Sequence, residues 1–132
     1  MRITTEAPIL SKLDYGILMQ YLSGGQAKSL YNRFNVEELL AEIKRANLVD
    51  HDQLPEDVVR LNSTVRVHDK DEDKVIELTL VAPKLANIKE KKISVMSPVG
   101  IALIGSRKGQ RVGWRVPLGE KHFTILEVWH NT

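Results

Sequence analysis

Apolar and polar positions along this chain change from a mainly helical to a mainly strand period near residue 50. Leu13, Ile17, Leu18 and Leu22 recur at helical spacing, with Leu10 and Tyr21 near the same stripe. Ser11 stands where an N-cap is expected, and Asp14 follows three residues on. Gly24-Gly25 stops this helix. A second run begins with Asn35 as its cap and carries Glu37 and Glu38 in its first turn. Val36, Leu39, Leu40, Ile43 and Leu48 form its stripe, and Lys44-Arg45 lie near its end. The pattern predicts a short antiparallel helical hairpin over residues 1–50, preceded by a loose or extended arm in which Pro8 forbids a helix. Two such short helices bury little on each other, so packing on the rest of the chain or on a second copy through Leu13, Ile17, Leu39 and Ile43 completes them.

Residues 51–132 read as β-structure. Val65 and Val67 alternate within Thr64–His68, and Lys70–Lys74 is a charged hairpin loop. In Val75–Val81, Ile76, Leu78 and Leu80 alternate against Glu77 and Thr79, and Lys84–Lys91 is a polar excursion. Ile93–Val95 is a further strand. Val112, Trp114 and Val116 share one face of the next, and Pro117-Leu-Gly-Glu turns into His122–Trp129. Strict alternation there puts His122, Thr124, Leu126 and Val128 on one face and Phe123, Ile125, Glu127 and Trp129 on the other. Between the strands lies Ser97-Pro-Val-Gly-Ile-Ala-Leu-Ile-Gly105. Ser97 is an N-cap, Pro98 stands at the first helical position, and Val99, Ala102, Leu103 and Ile104 form the apolar face. Gly105 supplies the positive φ that ends the helix. An antiparallel sheet closed by one short helix is an α+β arrangement, with domains at 1–50 and 51–132.

Composition narrows the function. At 132 residues, 42% hydrophobic and 27% charged, the chain is an ordinary globular one. No apolar run reaches the ~18 residues of a membrane span. The N-terminal Met-Arg-Ile-Thr-Thr-Glu-Ala-Pro lacks a signal peptide's apolar core, so a cytoplasmic location is expected. With no cysteine, disulfide and thiolate chemistry are excluded. The net charge of +2 is spread evenly except for Lys84, Lys89, Lys91 and Lys92, which suit a solvated strand edge. A protein partner fits this balance better than sequence-specific nucleic acid.

Candidate chemistry is sparse. Asp50, His51 and Asp52 invite a metal reading but sit in a polar connector with no third ligand in sight. His51, His68, His122 and His130 show no metal-binding spacing, and Ser97 and Ser106 lack a nucleophile elbow. The residues point to no catalytic group, metal or cofactor.

The run Ile93–Gly105, followed by Lys108-Gly-Gln-Arg-Val112 and Trp114-Arg-Val-Pro-Leu-Gly119, resembles the C-terminal domain of the Gre transcription elongation factors. Leu54-Pro-Glu-Asp-Val-Val-Arg-Leu-Asn-Ser63 resembles the entry of the Rnk branch, the regulators of nucleoside diphosphate kinase. The resemblance covers residues 54 to 130 well and the first 50 in outline. It implies an FKBP-like fold for the second domain. It also implies docking at the secondary channel of RNA polymerase through the corner before the helix, with Ser94, Met96, Ser97, Pro98 and Val99 as contacts. Met96 is a flexible, polarizable side chain whose strand parity points it away from Val95. In the long coiled coil of the Gre factors, acidic residues at the tip support transcript cleavage. The corresponding segment here, residues 24–34, contains no Asp or Glu, which implies a regulator without that activity, able to compete with Gre factors. The alternative is a regulator of nucleoside diphosphate kinase, direct or indirect. Prolyl isomerase activity, which an FKBP-like fold raises, needs an aromatic-lined cleft, and only Trp114, Phe123 and Trp129 fall in the sheet domain. The expected assembly is a monomer or weak dimer.

Overall fold

The computed structural model describes residues 7–23, 33–116 and 119–130. The first described element is a strand, and most of the loose or extended arm expected before it lies outside the described residues. β1 (Ile9–Ser11) pairs in parallel with β2 (Asn47–Val49). α1 (Lys12–Ser23) follows at once, and the Ser11 hydroxyl caps it by accepting the Asp14 amide at 3.0 Å. Its inward stripe is Asp14, Leu18 and Leu22, all buried at spacings of four, and Leu10 of β1 is buried beside it. Leu13, expected on that stripe, is 56% exposed. α2 (Arg33–Lys44) starts before Asn35, which therefore lies within the helix instead of capping it. Ile43 is buried, whereas Leu48 belongs to β2 and is exposed. The expected stop at Gly24-Gly25 lies outside the described residues.

The main sheet contains β3 (Ser63–Asp69), β4 (Lys74–Val81), β5 (Lys92–Ser94), β6 (Arg111–Val116) and β7 (Gly119–His130) in the order β5-β4-β3-β7-β6. The charged segment after Asp69 is the expected β3–β4 hairpin turn. The sheet is mixed, not purely antiparallel, because β5 runs parallel to β4. The cause is the excursion between them. Two single 3-10 turns, Pro83–Leu85 and Ile88–Glu90, carry the chain back along the outside of β5, which then re-enters in the direction of β4.

The expected alternation of the last strand breaks once. Arg66 faces Glu127 but Val67 faces Ile125, so Leu126 is an extra residue in a β-bulge. The bulge reverses parity: Phe123 and Ile125 point inward before it, and Val128 packs on the core after it. Val128 thus leaves the face predicted for it beside His122 and Thr124.

One buried cluster joins everything. Val65, Val67, Leu80, Val112 and Ile125 from the sheet meet Leu10, Leu18, Leu22 and Ile43 from the first fifty residues. Trp114 and Phe123 pack edge to face, with ring centroids 4.9 Å apart. α3 (Pro98–Leu103) lies inside this cluster, so Gly100, Ile101, Ala102 and Leu103 are all buried and Val99 is only half-buried. The expected face omitted Ile101 because a helix this short is enclosed by α2 and the sheet nearly all round.

Candidate functional site

The corner from Ser94 to Gly105 is a chain of mutually dependent contacts. β5 ends at Ser94, whose hydroxyl accepts the Met96 amide at 2.9 Å. The Ser94 carbonyl accepts the Ser97 amide at 3.0 Å and the Ser97 hydroxyl at 2.7 Å. The same Ser97 oxygen accepts the Gly100 amide at 3.1 Å and so caps α3, with Pro98 at the first helical position where an N–H is not needed. A side chain at position 100 has no room, because a Cβ there would fall on the Ser94 carbonyl. The Ser-Pro-x-Gly motif is thus the recipe for laying a helix start against the end of the strand that leads into it.

Gly105 completes the corner with φ +77°. Its carbonyl accepts the Ile9 amide at 3.0 Å, and its own amide donates to Val59 at 2.8 Å. A Cβ on Gly105 would approach Pro8 Cβ to 2.5 Å. The helix stop therefore also anchors β1 and the connector from Leu54 to Asn62.

This geometry sorts the residues singled out in the sequence. Pro98 is exposed, Ser97 and Val99 are half-buried, and Ser94 and Met96 are buried. Met96 was expected to point to a surface, away from Val95; instead both side chains are in the core. The strand has already ended at Ser94, so period-two alternation does not apply across the turn that holds Val95 and Met96.

A polar network lies behind the corner, on the connector. The buried Asp14 carboxylate accepts the Leu61 amide at 3.2 Å. Burial pushes the Asp14 carboxyl above the usual carboxylate range, against the opposing pull of the Leu61 amide and of Arg60, His51 and His130. Ser63 Oγ accepts the Arg60 amide at 2.9 Å and pairs with His130 Nδ1 at 2.9 Å. His130 Nε2 reaches the Glu56 carbonyl at 2.6 Å. The Nε2–H donates to that carbonyl while Nδ1 meets the Ser63 hydroxyl, so His130 straps the end of β7 to the connector. Arg107 grips Asp57 with two nitrogens at 3.1 and 3.0 Å. The sequence gives no sign of Asp14 as a buried group, because its spacing from Ser11 already explains it as a helix-start acid.

Among the described residues no cluster of three or more His, Asp or Glu side chains could hold a metal ion. His51 and Asp52 lie exposed in a 3-10 turn, His51–Gln53, that follows Asp50. Among the described residues no helix is long and apolar enough to cross a membrane.

The family model described as transcription elongation factor, GreA/GreB, C-term, matches residues 54–130. The chain belongs to the GreA/GreB family. A transcription elongation factor GreA from Prosthecochloris aestuarii is 41% identical over 71% of this chain and 60% of its own length. A regulator of nucleoside diphosphate kinase from Escherichia coli is 37% identical over 70% of this chain and 68% of its own. The solved structure of a prokaryotic transcription elongation factor GreA/GreB from Nitrosomonas europaea is 34% identical, with a TM-score of 0.73 over 94% of this chain and 98% of that one. The chain spans about 60% of the length of the GreA relative. The matched segment holds the whole corner, from β5 through Gly105.

Proposed function

We propose that this protein is a cytoplasmic transcription regulator of the Gre/Rnk type that binds RNA polymerase at its secondary channel, through an FKBP-like domain with a short helical hairpin in front of it. It acts by binding, with no chemistry of its own. The observation that carries the reading is the corner. Pro98, flanked by Ser97 and Val99, is presented to solvent on a scaffold held by the Ser94–Ser97–Gly100 hydrogen bonds, within the segment that carries the family match. A rigid exposed site costs little ordering on binding. Buried Ser94 and Met96 support the contact from behind, and Ser97, Pro98 and Val99 make it. The segment at 24–34, without Asp or Glu, offers no carboxylate to a polymerase metal, so the protein competes with Gre factors without stimulating cleavage.

Binding of the full chain to core RNA polymerase tests this, beside Pro98→Glu. An acid in the first helical turn suits the helix dipole, so the variant keeps its fold while changing the exposed tip. Binding by wild type and its loss in the folded variant is the expected result. Absence of wild-type binding would sink the reading. Retained binding in the variant would keep the polymerase but move the contact elsewhere.

The Escherichia coli relative favours a second reading, regulation of nucleoside diphosphate kinase. Co-purification of the kinase in place of the polymerase would support it.

A further inference from the structure

The excursion between β4 and β5 carries features that edge protection does not explain. Residues 82–92 hold Lys84, Lys89, Lys91 and Lys92 against Glu90 alone, a net charge of +3. The whole chain carries +2, so the remainder is at −1. Lys92 pairs with Glu90 at 3.3 Å. Lys84, Lys89 and Lys91 are exposed, and among the described residues none of the three has an acidic partner. Between them stand Leu85 at 57% and Ile88 at 88% exposure, the latter the most exposed large apolar side chain described. Lysines keep a strand edge soluble, but an isoleucine held in water works against that purpose.

Local bonds also fix the shape of this segment. Asn87 and Lys92 exchange two backbone hydrogen bonds of 2.8 and 2.9 Å, and the Asn87 side chain accepts the Lys89 amide at 3.1 Å. Lys91 closes the second turn in the left-handed region at φ 58°. The first turn emerges where Val81 pairs with Ser94, at the corner's end of β5. The second lies by Lys92, at the other end, and the two steps of strand from Lys92 to Ser94 separate the ends by roughly 7 Å. Pro98 and the excursion thus flank a single sheet edge.

We infer that the excursion is the second half of the docking surface, and that it takes an acidic, apolar-bearing segment of the same protein partner. Ile88 and Leu85 bury against that segment while Lys84, Lys89 and Lys91 meet its carboxylates. This inference rests on the polymerase reading for the partner's identity. Nucleic acid is the weaker occupant: the excursion offers aliphatic side chains where phosphate grooves use arginine and base-stacking aromatics.

The test is binding of the full chain to core RNA polymerase across a salt series, with two further variants whose folding is checked by circular dichroism. Lys84→Glu, Lys89→Glu, Lys91→Glu combined should weaken binding roughly tenfold at low salt, with the difference shrinking as salt screens the charges. Ile88→Ser should weaken it roughly tenfold at every salt concentration, because apolar burial is not screened. Wild-type binding that both variants reproduce would overturn this inference and leave the polymerase reading standing. A charge effect without an Ile88 effect would also overturn it, reducing the lysines to steering. Loss of affinity for a single-stranded RNA oligonucleotide, with polymerase binding intact, would reassign the surface to phosphate. No wild-type binding would remove the polymerase reading and this inference with it.

Discussion

The carboxylate of Asp14 accepts the backbone amide of Leu61 at 3.2 Å across a sequence separation of 47 residues. This bond ties the first turn of α1 to the connector that feeds β3, so the N-terminal helix is held by a buried acid as well as by Leu18 and Leu22. Burial raises the Asp14 carboxyl, so folding favours its protonated form. Any stability it contributes is therefore fully present below its unfolded pKa and is lost as pH rises through the higher folded pKa. Asp14→Asn keeps an oxygen for Leu61 and removes the buried charge. It should be more stable than wild type at pH 7, with the two denaturation midpoints converging in acid. Asp14→Ala should instead cost about 1–3 kcal/mol, because the Leu61 amide loses its acceptor.

The three glycines with described surroundings near the corner separate packing from backbone conformation. Gly100 has no room for a Cβ beside Ser94, so Gly100→Ala forces α3 off β5 at a cost of about 1–3 kcal/mol. Gly105→Ala meets both Pro8 and a positive φ and should be at least as damaging. Gly109 has φ +90° with open space around it, so Gly109→Ala carries only conformational strain of roughly 1–2 kcal/mol. Urea unfolding of the three variants should rank Gly109→Ala mildest. If Gly100→Ala proved neutral, the close packing of helix on strand would be wrong.

Ser97 both donates to Ser94 and accepts from Gly100. Ser97→Ala should lose about 1 kcal/mol through the missing cap, and Ser97→Asp should recover part of it, since a carboxylate accepts from Gly100 but cannot donate to the Ser94 carbonyl. Chemical denaturation of both variants reads this order directly.

The parts of the fold legible in the sequence are those that local chemistry dictates. Ser97, Pro98 and Gly105 each have one favoured place at a helix end, and each occupies it. Val65 with Val67, and Val112 with Trp114, alternate because one face of their strands is buried. What stayed hidden depends on partners distant in sequence. The three-residue β1 and β2 are too short to show a period and exist only through their pairing. The bulge at Leu126 is set by register against β3, so alternation within β7 could not reveal it. Met96 departs from strand parity for a related reason: the strand ends at Ser94, before the alternation reaches it. As for the candidate site, Ser97 and Pro98 stood out in the sequence, whereas the exposure of Ile88 depends on a fold-back that only the Asn87–Lys92 pairing creates.

A second buried acid should respond to pH in the opposite sense from Asp14. At Asp69 desolvation also pushes the carboxyl up, but the amides of Asp71 and Glu72, helped by Lys121 and Lys74, outweigh it and hold the group below the usual carboxylate range. Folding thus favours the ionised form. The stability Asp69 contributes is present above its unfolded pKa and is lost as pH falls through the lower folded pKa. Asp69→Asn keeps an acceptor for the turn and removes the charge, so it should be less stable than wild type at pH 7 and draw level with it in acid. The two Asn variants, measured side by side by thermal unfolding between acid and neutral pH, should move to opposite sides of the wild-type curve as pH rises. If both moved the same way, the balance of burial against amide hydrogen bonds assigned to one of the two sites would be wrong.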